Sequence, residues 1–175
     1  MDYLARKIDR SKWEVKSESR SEDIRADALT GFSLRTDKDE LSLWQCTSNR
    51  EDIAEVVLAL ITNPRPRIEG IHIILFAQEE LILSQITLVC SPHNAQTAIA
   101  DLRHRHIDAV QLHMGNIIDL ANKIATKVRQ NIDCHSFTRK QVVQILRSAF
   151  KCGRLPLDWM TSLKPNEKIE IEQAS

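Results

Sequence analysis

The chain has 175 residues, 42% of them apolar and 27% charged, which suits one globular domain and excludes general disorder. Its formal net charge is zero, so the molecule as a whole has no electrostatic attraction to nucleic acid or anionic lipid. The longest apolar stretch, residues 71–77, is far shorter than the roughly 20 residues that span a bilayer, so we expect no membrane segment.

The first 40 residues hold one predicted strand and one predicted helix. Tyr3–Ile8 alternates loosely between apolar and polar residues, which predicts a strand. Residues 10–20 are mostly charged or serine and predict an exposed connector. Residues 21–31 predict a short helix, because Ser21 precedes apolar residues at helical spacing and Gly31 follows them. Residues 37–40 predict a polar turn.

A strand and a long helix follow. Leu41–Cys46 alternates with period two, which predicts a half-buried strand. Ser48 and Glu51 have the spacing of a capping box, so we expect a helix that begins there, continues through Ile61 and is ended by Pro64. Its predicted apolar stripe is Ile53, Val56, Val57, Leu60 and Ile61.

Two further strands are predicted before residue 92. Ile71–Phe76 is a short apolar run bounded by turn signals, which predicts a central strand buried on both faces. Residues 78–80 predict a turn, and the β-branched run Ile86–Cys90 predicts another strand.

The pattern becomes helical in the second half of the chain. Residues 94–110 are expected to be mostly helical, and Thr138 with Gln141 forms a second capping box, which begins a helix that Gly153 ends. Leu155–Leu163 predicts one more short helix. Another helix is indicated by apolar residues at helical spacing, Ile117, Ala121, Ile124 and Val128.

This order of elements predicts an α+β fold: a small mixed or antiparallel sheet from the N-terminal half, packed by helices, and a mostly helical C-terminal half. We expect a single domain over residues 1–163, strand-rich over 1–92 and helical over 93–163. Residues 164–175 are polar, which predicts a frayed tail.

Several chemistries are disfavoured by composition. The four glycines are far apart, so phosphate-cradling loops and dinucleotide fingerprints are missing, and so is a Gly-x-Ser-x-Gly elbow. We therefore expect no cofactor and name no catalytic residue. The four cysteines include no Cys-x-x-Cys pair, and the N-terminus has no signal-peptide pattern, which together favour a cytoplasmic location.

One stretch carries residues typical of metal ligands: His104, His106 and Asp108. In a helix, the two histidines would point about 200° apart and could not share a metal, whereas in an extended segment they would lie on one face. The stretch therefore leaves open a metal-dependent hydrolase, although surface histidines explain it more simply.

A second candidate surface is the basic side of the predicted helix 139–151. Lys140, Arg147 and Lys151 recur at steps of seven and four and share one side, with Arg139 and Arg154 flanking them. Such a face suits nucleic-acid phosphates or an acidic protein partner.

The charges are also unevenly distributed along the chain. Residues 1–100 carry 12 Lys and Arg against 16 Asp and Glu, a net of −4, whereas residues 101–154 carry 10 against 4, a net of +6. Complementary surfaces of this kind favour protein association. The leading hypothesis is a non-catalytic protein-interaction protein, a small subunit or accessory factor of a larger cytoplasmic assembly, with a protein partner or a homo-oligomer. The alternatives are a nucleic-acid-binding accessory protein and the metal-dependent hydrolase.

Overall fold

The computed structural model describes residues 2–14, residue 28 and residues 39–173. The described strands are β1 (Tyr3–Ile8), β2 (Leu41–Cys46), β3 (Ile71–Ala77), β4 (Thr87–Cys90), β5 (His106–Val110) and β6 (Cys134–Phe137). The described helices are α1 (Arg10–Trp13), α2 (Arg50–Ile61), α3 (Gln78–Leu83), α4 (Met114–Gln130), α5 (Arg139–Lys151), α6 (Leu157–Thr161) and α7 (Pro165–Glu172), and a 3₁₀ helix spans Ala100–Arg105. Within these residues, no helix has the length and apolar character needed to cross a membrane.

The six described strands form one sheet in the order β4-β5-β2-β1-β3-β6, and every neighbouring pair is antiparallel. The predicted α+β class is therefore confirmed. β2 and β3 lie on either side of β1 and run in the same direction. The chain must therefore pass over one face of the sheet to connect them, and α2 forms this connection. α4 makes the longer connection from β5 to β6, past three intervening strands.

Helices cover both faces of the sheet, because strand residues alternate between two apolar clusters. On one face, Ala5, Trp44 and Ile73 pack against α2, α5, α6 and α7. On the other face, Leu4 and Leu43 pack against α3 and α4. The sheet is thus the middle of three layers, and its end strands β4 and β6 are the edges.

Several predicted elements are confirmed. β1 and β2 have the predicted bounds, and β3 lies inside the sheet and is largely buried. The Thr138–Gln141 capping box is present at the start of α5. Gly153, at φ +67°, ends α5 as predicted, because a left-handed residue there lets the amide of Arg154 bond back to Ala149.

Other predictions are wrong in detail. Asn49, rather than Ser48, caps α2, and its side chain accepts a hydrogen bond from the Glu51 amide at 3.0 Å. Residues 78–80 form the first turn of α3 rather than a loop, because Leu81 buries its side chain in the core below.

The boundary between a strand-rich and a helical half is also corrected. Within residues 94–110, only the 3₁₀ helix is helical, and β5 follows it directly. β6 was not predicted at all. Its four residues include only one that is fully buried, so they carry no alternating pattern. Both strands lie in the segment that was expected to be helical.

Residues 164–175 are not a frayed tail over most of their length. α7 spans Pro165–Glu172 and packs on α5, and the side chain of Ile171 has no exposed surface. A single buried side chain gives too little periodicity to be recognised in sequence. The predicted helix over 21–31 lies outside the described residues apart from Ala28, which is helical and buried. Most of the predicted 10–20 connector and residues 37 and 38 also lie outside them, whereas Arg10–Trp13 forms α1.

Candidate functional site

The predicted metal stretch is divided between two elements. His104 is exposed in the 3₁₀ helix, whereas His106 and Asp108 are buried on one face of β5. The distance from His106 Nε2 to Asp108 Oδ1 is 3.8 Å. Across the described residues, no three His, Cys, Asp or Glu side chains are grouped in a way that could hold a metal ion. The structure therefore does not bring the three predicted ligands together.

His106 and Asp108 instead form the centre of a buried polar cluster. Ser91 Oγ lies 3.0 Å from His106 Nδ1, and Asn94 Nδ2 donates to Asp108 Oδ2 at 2.7 Å. Ser42 Oγ donates to the other Asp108 oxygen at 3.4 Å. The segment after β4 is therefore tied to β5 through the side chains of Ser91 and Asn94.

This cluster holds a serine, a histidine and an aspartate in contact, the types used in nucleophilic catalysis. Its geometry does not suit that chemistry, because Ser91 and His106 are 3% and 2% exposed. Burial lowers the pKa of His106, opposed by the negative charge of Asp108 and by a hydrogen bond that His106 Nδ1 donates to the backbone oxygen of Ser91. The ring of Trp44 packs edge-on against His106 with centroids 5.1 Å apart, which completes the enclosure.

The basic side of α5 is partly neutralised by acids from other elements. Arg139 donates two hydrogen bonds to the Glu170 carboxylate, at 2.7 and 2.5 Å, and Arg147 donates to the Glu170 backbone oxygen. The hydrogen bonds from Arg139 hold the pKa of Glu170 below its usual range. α7 therefore covers part of the predicted basic face.

Arg154 is paired as well. Its guanidinium forms two hydrogen bonds with Glu55 in α2 and a third with Asp101 in the 3₁₀ helix. Lys140 and Lys151 are exposed and form no ion pair with any described residue. Of the five predicted cations, Lys140 and Lys151 therefore remain exposed and available to bind a phosphate group. Nucleic-acid binding stays a prediction.

Sequence reasoning missed a surface at the β4 edge. Among the described residues, nine large apolar side chains are exposed, and four belong to the end of α3 and the start of α4: Ile82, Leu83, Met114 and Ile118. Leu83 is 84% exposed and Met114 is 74% exposed. We call these four side chains, together with the free edge of β4, the corner surface.

Topology places these residues at one corner of the sheet. Leu83 precedes Thr87 by four residues, and Met114 follows Val110 by four residues, while Thr87 and Val110 are paired across β4 and β5. Both helices also pack on the same face of the sheet. The signal was present in the sequence, since residues 81–100 and 109–118 contain no Asp, Glu, Lys or Arg, but only the strand pairing brings the two segments together.

Among the strands that the structure describes, β4 has a neighbour on one side only and presents unpaired backbone groups on the other. The Ser91 amide donates to the His106 oxygen. Because backbone groups alternate in direction along an antiparallel strand, the amide and carbonyl groups of Val89 and Thr87 are also directed toward β5. The amide and carbonyl groups of Leu88 and Cys90 therefore point away from the sheet.

Comparison with known proteins does not add to this description: no family model, no curated protein and no solved structure matches the chain.

Proposed function

We propose that this protein is a non-catalytic subunit of a protein assembly and that its corner surface joins it to a second copy of the chain. The observation that supports this most is an edge strand with four large apolar side chains beside it and no charged residue in the flanking segments. Proteins usually protect such edges with lysine, proline or inward-pointing charges. Thr87–Cys90 has none of these, and its protection is limited to its short length of four residues.

A second copy suits this surface because a two-fold interface brings each residue close to its own equivalent. A charged patch would then meet like charges, whereas the uncharged segments 81–100 and 109–118 avoid that repulsion. The outward backbone groups of Leu88 and Cys90 can pair with the same groups of the second β4.

The expected affinity is modest. Burying the exposed part of each of the four side chains contributes about 1–2 kcal/mol, or roughly 8–16 kcal/mol for both copies. Association itself costs on the order of 4–15 kcal/mol. The net free energy of association is therefore at most about 12 kcal/mol, and a micromolar dissociation constant, which corresponds to about 8 kcal/mol, falls within that limit. A different protein partner is the alternative occupant.

The non-catalytic part of the proposal is supported by the closed polar cluster. Ser91, His106 and Asp108 are each at most 3% exposed, so their reactive atoms have almost no accessible surface. We place the function in the cytoplasm, as the cysteine usage predicts.

The test is size-exclusion chromatography with light scattering over protein concentrations on both sides of ~1 µM. The wild-type chain should change from monomer to dimer, and Leu83→Glu with Met114→Glu should remain monomeric, because both side chains would carry charge into the interface. The double variant should keep the wild-type circular dichroism, and its unfolding midpoint should equal that of the wild type at concentrations where the wild type is monomeric.

Leu157→Glu is the matched control, since Leu157 is 77% exposed at the start of α6, away from the corner surface. It should dimerise like the wild type. A wild-type chain that is monomeric at every concentration refutes the second copy as the occupant. Equal loss in the control would show that the corner surface is not the interface.

A further inference from the structure

A groove lies at the end of the sheet where α2 finishes and β3 begins. It has two parts, of about 690 and 450 Å³, which share Lys7, Leu60 and Asn63 as lining residues. Both volumes are in the range typical of sites for small molecules. The larger part is bounded by the loop from Asn63 to Gly70, and the smaller part reaches Asn94 and His106.

Two arginines stand on the loop beside the larger part. Arg65 and Arg67 are exposed, and neither forms an ion pair within the part of the chain that the structure describes. This distinguishes them from Arg139 and Arg154, whose charges are neutralised by carboxylates.

The backbone of the loop that carries them is restricted. Pro64 and Pro66 alternate with the arginines and restrict the backbone. The Asn63 side chain accepts from the Arg65 amide at 2.8 Å and donates to the Leu60 oxygen at 2.7 Å. Because the loop backbone is restricted, less backbone conformational entropy is lost when a ligand binds.

The floor of the groove is apolar. Ile8, Ile61 and Ile71 line the larger part, and Trp44 lines the smaller part. Leu60 belongs to the apolar stripe of α2, yet it is only half-buried because it borders both parts of the groove. The partly exposed Leu60 side chain beside cationic side chains suits a ligand that has both an apolar part and an anionic group.

The remaining charges of the groove do not cancel the arginines. Glu69 is paired with Lys7 at 3.2 Å. The larger part is lined by three cations, Lys7, Arg65 and Arg67, against two carboxylates, Asp9 and Glu69, which leaves a net charge of +1. Glu40 lines the smaller part, where Arg6 donates to the Ser42 oxygen. Burial lowers the pKa of Arg6 to about 10, so this side chain stays cationic at neutral pH.

The end of α2 is directed toward the same region, and its partial negative charge would oppose an anion. Three of its last carbonyl groups are already hydrogen-bonded: Leu58 accepts from Thr62 Oγ1, Leu60 from Asn63 Nδ2, and Thr62 from the Ala98 amide. These bonds offset much of that charge, so the arginines set the sign of the electrostatic potential at the loop.

We propose that this groove binds a small organic anion, with Arg65 and Arg67 on its phosphate, sulfonate or carboxylate group and Leu60 against its apolar body. The site is independent of the corner surface, which lies beside α3 and α4. A double variant Leu83→Glu with Met114→Glu should therefore bind the same ligand with unchanged affinity.

The experiment is an NMR titration of amide shifts with three probes: 1-naphthyl phosphate, inorganic phosphate and 1-naphthol. 1-Naphthyl phosphate should shift the amides of Leu60, Arg65 and Arg67 and should bind more tightly than either part alone. Arg65→Ala with Arg67→Ala should weaken its binding about tenfold or more, because both charge-assisted hydrogen bonds are lost.

Lys140→Ala with Lys151→Ala is the control, because it removes the same charge from two exposed, unpaired cations on α5. Its affinity for 1-naphthyl phosphate should equal that of the wild type. Equal weakening by the two double variants would mean non-specific charge attraction and would overturn the proposal. An absence of shifts at the groove amides, or binding that survives the loss of both arginines, would also overturn it.

Discussion

The docking of α7 gives a direct test of the packing. Ile171 is completely buried, whereas Ile169, two residues earlier in the same helix, is 49% exposed. Replacing Ile171 with alanine removes three buried carbon atoms from the cluster formed with α5 and α6. Isoleucine-to-alanine substitutions in well-packed cores cost about 2–5 kcal/mol, from lost burial and from the cavity that remains.

Ile169→Ala is a control with the same chemical change in the same helix. Its cost should stay within about 0.5 kcal/mol, as for most exposed sites. The assay is urea unfolding followed by circular dichroism and tryptophan fluorescence, with thermal unfolding as a second measurement. The Ile171 variant should lose roughly 4–20 °C in its melting temperature, since 1 kcal/mol corresponds to about 2–4 °C for a chain of this size.

Equal unfolding midpoints for the two variants would refute this reasoning. They would mean that α7 contributes nothing to the core and that the frayed tail expected from the sequence is correct. The hydrogen bonds from Arg139 to Glu170 would then be surface contacts of little energetic value.

Two further predictions concern buried titratable groups. Burial lowers the pKa of His106, so the unfolded chain takes up more protons and the unfolding free energy should fall as pH drops below about 6.5. Urea unfolding across pH 5–8 should show a shallower fall for His106→Gln than for the exposed control His104→Gln, and equal slopes would contradict this assignment. Burial, followed by the charge of Asp52, raises the pKa of Cys46 to about 12, so iodoacetamide at pH 8 should modify the exposed Cys90 in the native chain but not Cys46. Mass spectrometry of the labelled protein measures this, and equal labelling rates would show that Cys46 is accessible.

Much of the local structure was predictable because its causes are local. The alternation of Leu41–Cys46 and the cap at Thr138 act over a few residues, and both have the predicted effect. Asn49 shows the limit of this accuracy, since adjacent Ser48 and Asn49 are both good caps and the backbone chooses between them.

The candidate sites were less predictable, because their decisive contacts are distant in sequence. Arg154 meets Glu55, 99 residues away, and this ion pair removes the arginine from the predicted basic face. The stretch with His106 and Asp108 was ambiguous between helix and strand, since five residues are too few to establish a period. Pairing with β2 makes it a strand and buries both side chains beside Ser42.

The sequence by itself determined the α+β class, the larger helices and the central strands, because hydrophobic periodicity and capping depend on neighbouring residues. Tertiary structure alone decided the corner surface, the closed polar cluster and the groove with its two unpaired arginines. Each of these depends on segments that become neighbours only when the sheet forms, as β4 and β5 do between Leu83 and Met114. Long-range pairing therefore determines which side chains remain available to a partner or a ligand.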